Sequence, residues 1–182
     1  MPTSLKRHIT DCKMRANNMR ILGIDPGSRM TGVGIIEIQG DHTSALYFDA
    51  IRAGSGEFTE RLGIIFSKLK TLIREYEPDQ AAIETVFVAH NAASAIKLGQ
   101  ARGAAICAAI ECKVPVSEYS PRSIKQAIVG RGAADKTQVQ HMVGILLGIE
   151  GPIQNDAADA LAVALCHQHT QHTLARMVAL QR

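Results

Sequence analysis

The sequence predicts an α/β domain built on a mixed sheet, and three observations carry that expectation. Short apolar runs rich in β-branched residues alternate with longer stretches of helical periodicity, in the order βββαβαβααα. The first three extended stretches follow one another through tight, turn-rich links, as in an antiparallel meander. The fourth and fifth each follow a helix, the connection that parallel strands require.

The first strand is the run Ile21, Leu22 and Ile24, stopped by Asp25-Pro26-Gly27. Met30–Ile38 and Ser44–Ala53 follow as strands, joined by Gln39-Gly40-Asp41-His42, and Gly54-Ser55-Gly56 ends the meander. Leu62, Ile65, Phe66, Leu69, Leu72 and Ile73 recur at helical spacing across Thr59–Tyr76, with Lys68, Lys70 and Arg74 on the wet side. After Pro78, Asp79–Val86 is a fourth, parallel strand. Asn91–Cys112 is a long Ala-rich helix, apolar nearly all round over Gly103–Ile110. Such a helix needs cover on both sides, the sheet on one and a second subunit on the other. Pro115–Tyr119 is the fifth strand. Ser120 caps a helix over Arg122–Val129, with Pro121 at its start and Gly130-Arg131-Gly132 at its end. Asp135–Leu147 and Asn155–His169 complete the helices.

With 182 residues, 46% hydrophobic and 20% charged, the chain reads as one soluble globular domain. No stretch approaches the ~18 apolar residues of a membrane span, so no membrane partner is expected. The domain is expected over residues 19–172, between a disordered basic extension, 1–18, and a tail, 173–182. Lys6, Arg7, Lys13 and Arg15 against Asp11 account for the whole net charge of +3. A nucleic-acid partner must therefore be argued from where charges lie. The segment from Lys97 to His141 is locally basic. The four cysteines, 12, 107, 112 and 166, form no CxxC pair and no Cys/His ligand spacing, which suits a reducing cytoplasm. Cys107 and Cys166 read as small core residues.

Acids stand where strands or helices end. Asp25 closes the first strand and Glu84 the fourth; Asp156 and Asp159 open the last helix, three residues apart and on one face. Each has an ordinary explanation alone: a turn aspartate, a solvated strand end, acids at the positive end of a helix. Together they suggest a site, because open α/β sheets bind ligands beyond the carboxyl ends of their strands. Four converging carboxylates cannot all stay ionised unaided, and a hard divalent cation resolves the conflict. Two such ions clamp the attacking and leaving oxygens of phosphodiester hydrolysis. The acids, the lack of a Cys/His ligand set and the basic neighbouring segment point to a metal-dependent nuclease.

The segments ILGIDPGSRMTGVGII, AAIETVFVAHNAASAIKLGQARGAA, PRSIKQAIVGRGAADKTQVQHMV and NDAADALAVAL resemble, in order, those of the RuvC family of Holliday-junction resolvases. The resemblance implies a ribonuclease H-like fold with a five-stranded mixed sheet, three strands antiparallel and the rest parallel, flanked by helices. It implies paired, symmetric cleavage of four-way DNA junctions in recombination and repair, leaving 5′-phosphate and 3′-hydroxyl ends. Asp25, Glu84, Asp156 and Asp159 match the family's catalytic, metal-holding acids. The implied cofactor is Mg²⁺, two ions per subunit, with Mn²⁺ able to substitute. Lys125 and Lys136 match its DNA-binding basic residues, Arg131 serves the same end, and Phe87 matches the aromatic beside the junction. The implied partners are four-way junction DNA, a second copy in a homodimer, and a branch-migration motor complex of the RuvA and RuvB type. Thr85 and Asn91 are candidates for placing the strand, while His90 and His141 are read as ordinary. The 18-residue N-terminal extension has no counterpart in the resemblance.

Two other readings stand beside this one. GIDPGS also resembles the phosphate loop of actin-like ATPases and sugar kinases, but those need a second lobe for which 182 residues leave no room. A noncatalytic junction-binding protein on the same fold would not need all four acids.

Overall fold

Ile21, Leu22, Ile24, Val33, Ile35 and Ile36 are completely or almost completely buried, and the strands that carry them form the middle of a single sheet. The computed structural model describes residues 18–85 and 91–180. Its strands are β1 (Asn18–Asp25), β2 (Met30–Gln39), β3 (His42–Arg52), β4 (Gln80–Glu84) and β5 (Val116–Tyr119). Its helices are α1 (Phe58–Tyr76), α2 (Ala92–Glu111), α3 (Pro121–Val129), α4 (Lys136–Leu147) and α5 (Asn155–Leu180). The sheet order is β3-β2-β1-β4-β5. β1, β2 and β3 pair antiparallel, whereas β4 joins β1, and β5 joins β4, in parallel. The expected meander and parallel additions are thus present.

Alternation along the strands separates two core layers. Leu22, Ile24, Val33, Ile35 and Ile83 pack with Ile65, Leu69 and Ile73 of α1 and with Ala101, Ala105, Ala108 and Ala109 of α2. Ile21, Ile36 and Ala82 pack on the other face with Ile124 and Ile128 of α3, Val139 and Val143 of α4, and Leu161, Val163 and Leu165 of α5. Helix ends follow local chemistry. The Ser120 hydroxyl accepts from the Ser123 amide, Asp135 and Gln138 form a reciprocal capping box, and Gly130 and Gly148 close α3 and α4 in the left-handed region.

Two differences from expectation concern helices. The periodicity predicts the last helix over Asn155–His169, yet α5 runs to Leu180. No Gly or Pro interrupts that stretch, so the helix continues past its buried segment into solvent, where Leu174, Met177 and Val178 are exposed. On α2 the fully buried residues are all alanines, with Ile106 packed partly buried beside them. Cys107 lies beside that alanine stripe and is exposed, which corrects its reading as a core residue; Cys166 is buried as expected. Ile96 and Ile110 are each 62% exposed, so α2 is covered within this chain on one side only. Among the described residues, no helix is long and apolar enough to cross a membrane.

Candidate active site

The site is positioned by the way α5 lies on the sheet. Gly23 on β1 and Gly32 and Gly34 on β2 face α5, and none could carry a side chain there. A Cβ on Gly23 would stand 2.0 Å from the Ala160 carbonyl oxygen, and one on Gly32 would stand 1.9 Å from that of Asp156. On Gly34 it would stand 2.8 Å from the Leu161 amide nitrogen. The glycines form a trench without side chains, and the alanine-rich face of α5 sinks into it backbone against backbone. This brings the first two turns of α5, with Asp156 and Asp159, over the end of β1.

Asp25 and Glu84 are neighbours at that end. Ile24 pairs with Ile83 in the parallel ladder, so the next residue of each strand carries its carboxyl group out of the same sheet edge. The two groups share a hydrogen bond. Burial, then the charges of Glu84, Asp159 and Asp156, push the Asp25 carboxyl from its ordinary 3.8 up to about 8. Glu84 is also raised, chiefly by burial, against the lowering pull of its Asp25 hydrogen bond and of Lys136 and Lys125. Burial and crowded like charge thus favour one proton held within the Asp25–Glu84 pair. The structure brings all four acids into one electrostatic cluster.

Cationic groups close the opposite wall. Lys136, first residue of α4, places Nζ 2.5 Å from Asp159 Oδ2. That hydrogen bond and the charges of Asp159, Asp25 and Asp156 outweigh partial burial and raise the lysine's own pKa. A cleft of about 210 Å³ opens here, lined by Glu84, Pro121, Ile124, Lys125, Lys136, Val139, Asp159 and Ala162. Lys125 and Lys136 thus share one opening with Glu84 and Asp159, while Asp25 and Asp156 do not line it. Arg131 is exposed in the loop after α3 and does not line it. Phe87 and His90 lie outside the described residues. Thr85 donates from its amide and its hydroxyl to the Tyr119 carbonyl, at 2.8 and 3.2 Å. Asn91 accepts the Ala93 and Ser94 amides as the N-cap of α2. His141 is exposed on α4.

Among the described residues, no three His, Cys, Asp or Glu side chains are already gathered as a metal centre. Negative charge is offset from within, by burial and crowding that favour a proton in the Asp25–Glu84 pair and by the Lys136 ammonium on Asp159. The donors themselves are all carboxylate oxygens in excess of the nearby positive charge, a set that suits a hard divalent cation.

Sequence reasoning finds the acids but misses the trench that assembles them. The available signal is Gly32 and Gly34 at period two on one strand face, with an alanine-rich helix elsewhere in the chain. It also misses the buried His167 and its half-buried partners Tyr119 and Gln80, for which spacing gives no signal.

The family model "Crossover junction endodeoxyribonuclease RuvC" matches residues 21–167. A relative of that name from Shewanella amazonensis is 56% identical over 154 residues, covering 85% of this chain and 89% of the relative. One from Methylococcus capsulatus is 51% identical over 163 residues, covering 90% and 98%. Among solved structures, Thermus thermophilus RuvC in complex with a Holliday junction substrate superposes with a TM-score of 0.80 at 34% identity, covering 85% of this chain and 96% of that one. The yeast mitochondrial Holliday junction resolvase, at 12% identity and a TM-score of 0.63 over 87% and 82% of the two chains, shares the fold. With its ribonuclease H-like sheet and a match over nearly all of its described core, this chain belongs to the RuvC family of crossover junction endodeoxyribonucleases.

Proposed function

We propose that this chain is a metal-dependent endonuclease that resolves four-way DNA junctions in recombination and repair, with Asp25, Glu84, Asp156 and Asp159 as its catalytic acids. The observation that carries the reading is the Asp25–Glu84 pair at adjacent strand ends, overlaid by Asp159 and flanked by Lys125 and Lys136. The four carboxylates would hold two Mg²⁺ ions per subunit, with Mn²⁺ an acceptable replacement. Bound there, divalent ions supply Lewis acidity at the attacking and leaving oxygens of the phosphodiester. The chain's own work is to hold, orient and neutralise. Asp25 must surrender its proton to act as a ligand, which its buried, crowded position favours only when positive charge arrives. Lys125 and Lys136 border the cleft where a scissile-strand phosphate would enter, and they supply salt-dependent affinity without reading sequence. Arg131, exposed in the loop between α3 and α4, is proposed to add a further phosphate contact, and Phe87 to stack on a base beside the crossover. Cleavage leaves 5′-phosphate and 3′-hydroxyl ends.

A second copy completes the assembly. The open face of α2 displays Ile96 and Ile110, and Cβ atoms at Gly99 and Gly103 would meet nothing within 4 Å. A two-fold pairing through this face gives two equivalent sites for two equivalent strands. A branch-migration motor of the RuvA and RuvB type and a cytoplasmic location complete the proposal.

The deciding experiment compares a synthetic four-way junction with a linear duplex of the same sequence, with Mg²⁺, with Mn²⁺ and with EDTA. Paired nicks in the junction alone, dependent on the ion, are expected. Equal cutting of both substrates, or junction binding without cutting in either metal, would overturn it.

A further inference from the structure

Tyr119 closes β5 opposite Glu84 in the parallel ladder. Its carbonyl accepts both hydrogen bonds from Thr85, so it holds the residue next to Glu84. Its hydroxyl lies 2.7 Å from Nδ1 of His167, and its ring meets the imidazole edge-on, with centroids 5.6 Å apart. His167 is 1% exposed and sits on α5, about two turns beyond Asp159. Its other nitrogen, Nε2, bonds Oε1 of Gln80, the first residue of β4. The amide oxygen of Gln80 can only accept, so Nε2 carries the imidazole proton and Nδ1 accepts from the tyrosine hydroxyl. One buried histidine thus ties α5 to the start of β4 directly, and to its end through Tyr119 and Thr85.

The rest of the α5 interface makes this tie matter. Where α5 crosses Gly23, Gly32 and Gly34 the sheet offers no side chains; the helix meets it there with the backbone of Asp156 and Ala160, with Ala164, and with Leu161 over Gly34. Such a surface fixes how deep the helix lies, and the apolar packing of Leu161, Val163 and Leu165 beside it is non-directional. Buried hydrogen bonds do resist sliding, because their distance range is narrow and a broken one leaves unsatisfied polar atoms. We infer that Tyr119 and His167 are positioning residues that fix α5 lengthwise on β4 and thereby set the spacing between Glu84 and Asp159. The inference rests on the reading of these carboxylates as the active site.

The test uses the full chain. Tyr119→Phe removes only the hydroxyl, and Gln80→Met removes the second tie from the other side. Both are measured for single-turnover cleavage of a four-way junction at saturating enzyme, for junction affinity and for thermal midpoint. Ile73→Val, in the opposite core layer, is the stability control. The expected result is a cleavage rate lowered about ten- to hundredfold in both variants, as small misplacements of reacting groups cause. Junction affinity is expected to stay within about twofold, and the half-saturating Mn²⁺ concentration to rise. Wild-type rates in both variants overturn the inference, as does an equal rate loss in Ile73→Val at equal thermal loss. If the wild type itself leaves the junction intact, the active-site reading fails and this inference falls with it; a cutting wild type with an equally active Tyr119→Phe removes the inference alone.

Discussion

Lys136 Nζ lies 2.5 Å from Asp159 Oδ2, so the carboxylate cluster holds a counter-charge supplied by the chain itself. The ammonium is more than half exposed and stands at the start of α4, where it can also meet a phosphate. Lys136→Ala is expected to change stability by less than about 1 kcal/mol, as partly solvated pairs do. It is expected to weaken junction binding and to lower the slope of log affinity against log salt by about one. Titrations at several salt concentrations check this; an unchanged slope would remove Lys136 from the DNA surface.

Asp25→Asn is expected to bind a four-way junction and leave it uncut. It also alters the pH dependence of stability. Because the folded pKa of Asp25, about 8, lies above its ordinary 3.8, the neutral carboxyl favours the fold. That contribution is complete below the ordinary value and is lost as pH rises through the folded one. In EDTA the variant is therefore expected to match the wild type near pH 4 and to exceed it near pH 8, by about 1–3 kcal/mol. Added Mg²⁺ is expected to narrow the gap. Urea unfolding at the two pH values decides, and a variant no more stable at pH 8 would contradict the assignment.

Gly32→Ala would drive a methyl group into the Asp156 carbonyl. Nothing there can yield except α5 itself, so a loss of more than about 3 kcal/mol is expected. Gly63→Ala, on the exposed face of α1 with nothing within 4 Å, is expected to gain about 0.5–1 kcal/mol instead. Thermal melts of the two variants report the contrast.

His167 is buried and neutral, and burial depresses its pKa below the ordinary 6.5. Its contribution to stability is therefore complete above the unfolded value and is lost as pH falls toward the folded one. Unfolding in EDTA from pH 7 to pH 5 is expected to show this loss in the wild type and a shallower one in His167→Gln.

The exposed α2 face yields a prediction about assembly. Ile110→Glu, alone or with Ile96→Glu, is expected to convert a dimer into a monomer in sedimentation at micromolar concentration. A wild type that sediments only as a monomer would dismiss the α2 interface.

The strands, the helices and their order follow from periodicity and from breakers such as Gly54, Pro78 and Gly130, because those signals are local. Asp25 and Glu84 were legible for a related reason: each ends an apolar run. What brings the acids together is not local. Gly32 and Gly34 read as ordinary small strand residues until α5 lies on them, and the histidine in LAVALCHQ reads as one more helical residue until Tyr119 and Gln80 meet it. The covered side of α2 was half legible. Its alanine stripe is evident, yet Cys107 faces outward, because an Ala-rich helix hides which arc turns inward.

The placement of Asp156 and Asp159 on α5 has a consequence for synthesis. A chain emerging amino end first presents Asp25 and Glu84 before the helix that fills the glycine trench has been made. Until α5 emerges and settles there, the growing polypeptide lacks Asp156 and Asp159, two of the four carboxylates proposed to cut. On that proposal the nascent chain is expected not to cleave, and a product truncated before Asn155 is expected to be harmless to DNA.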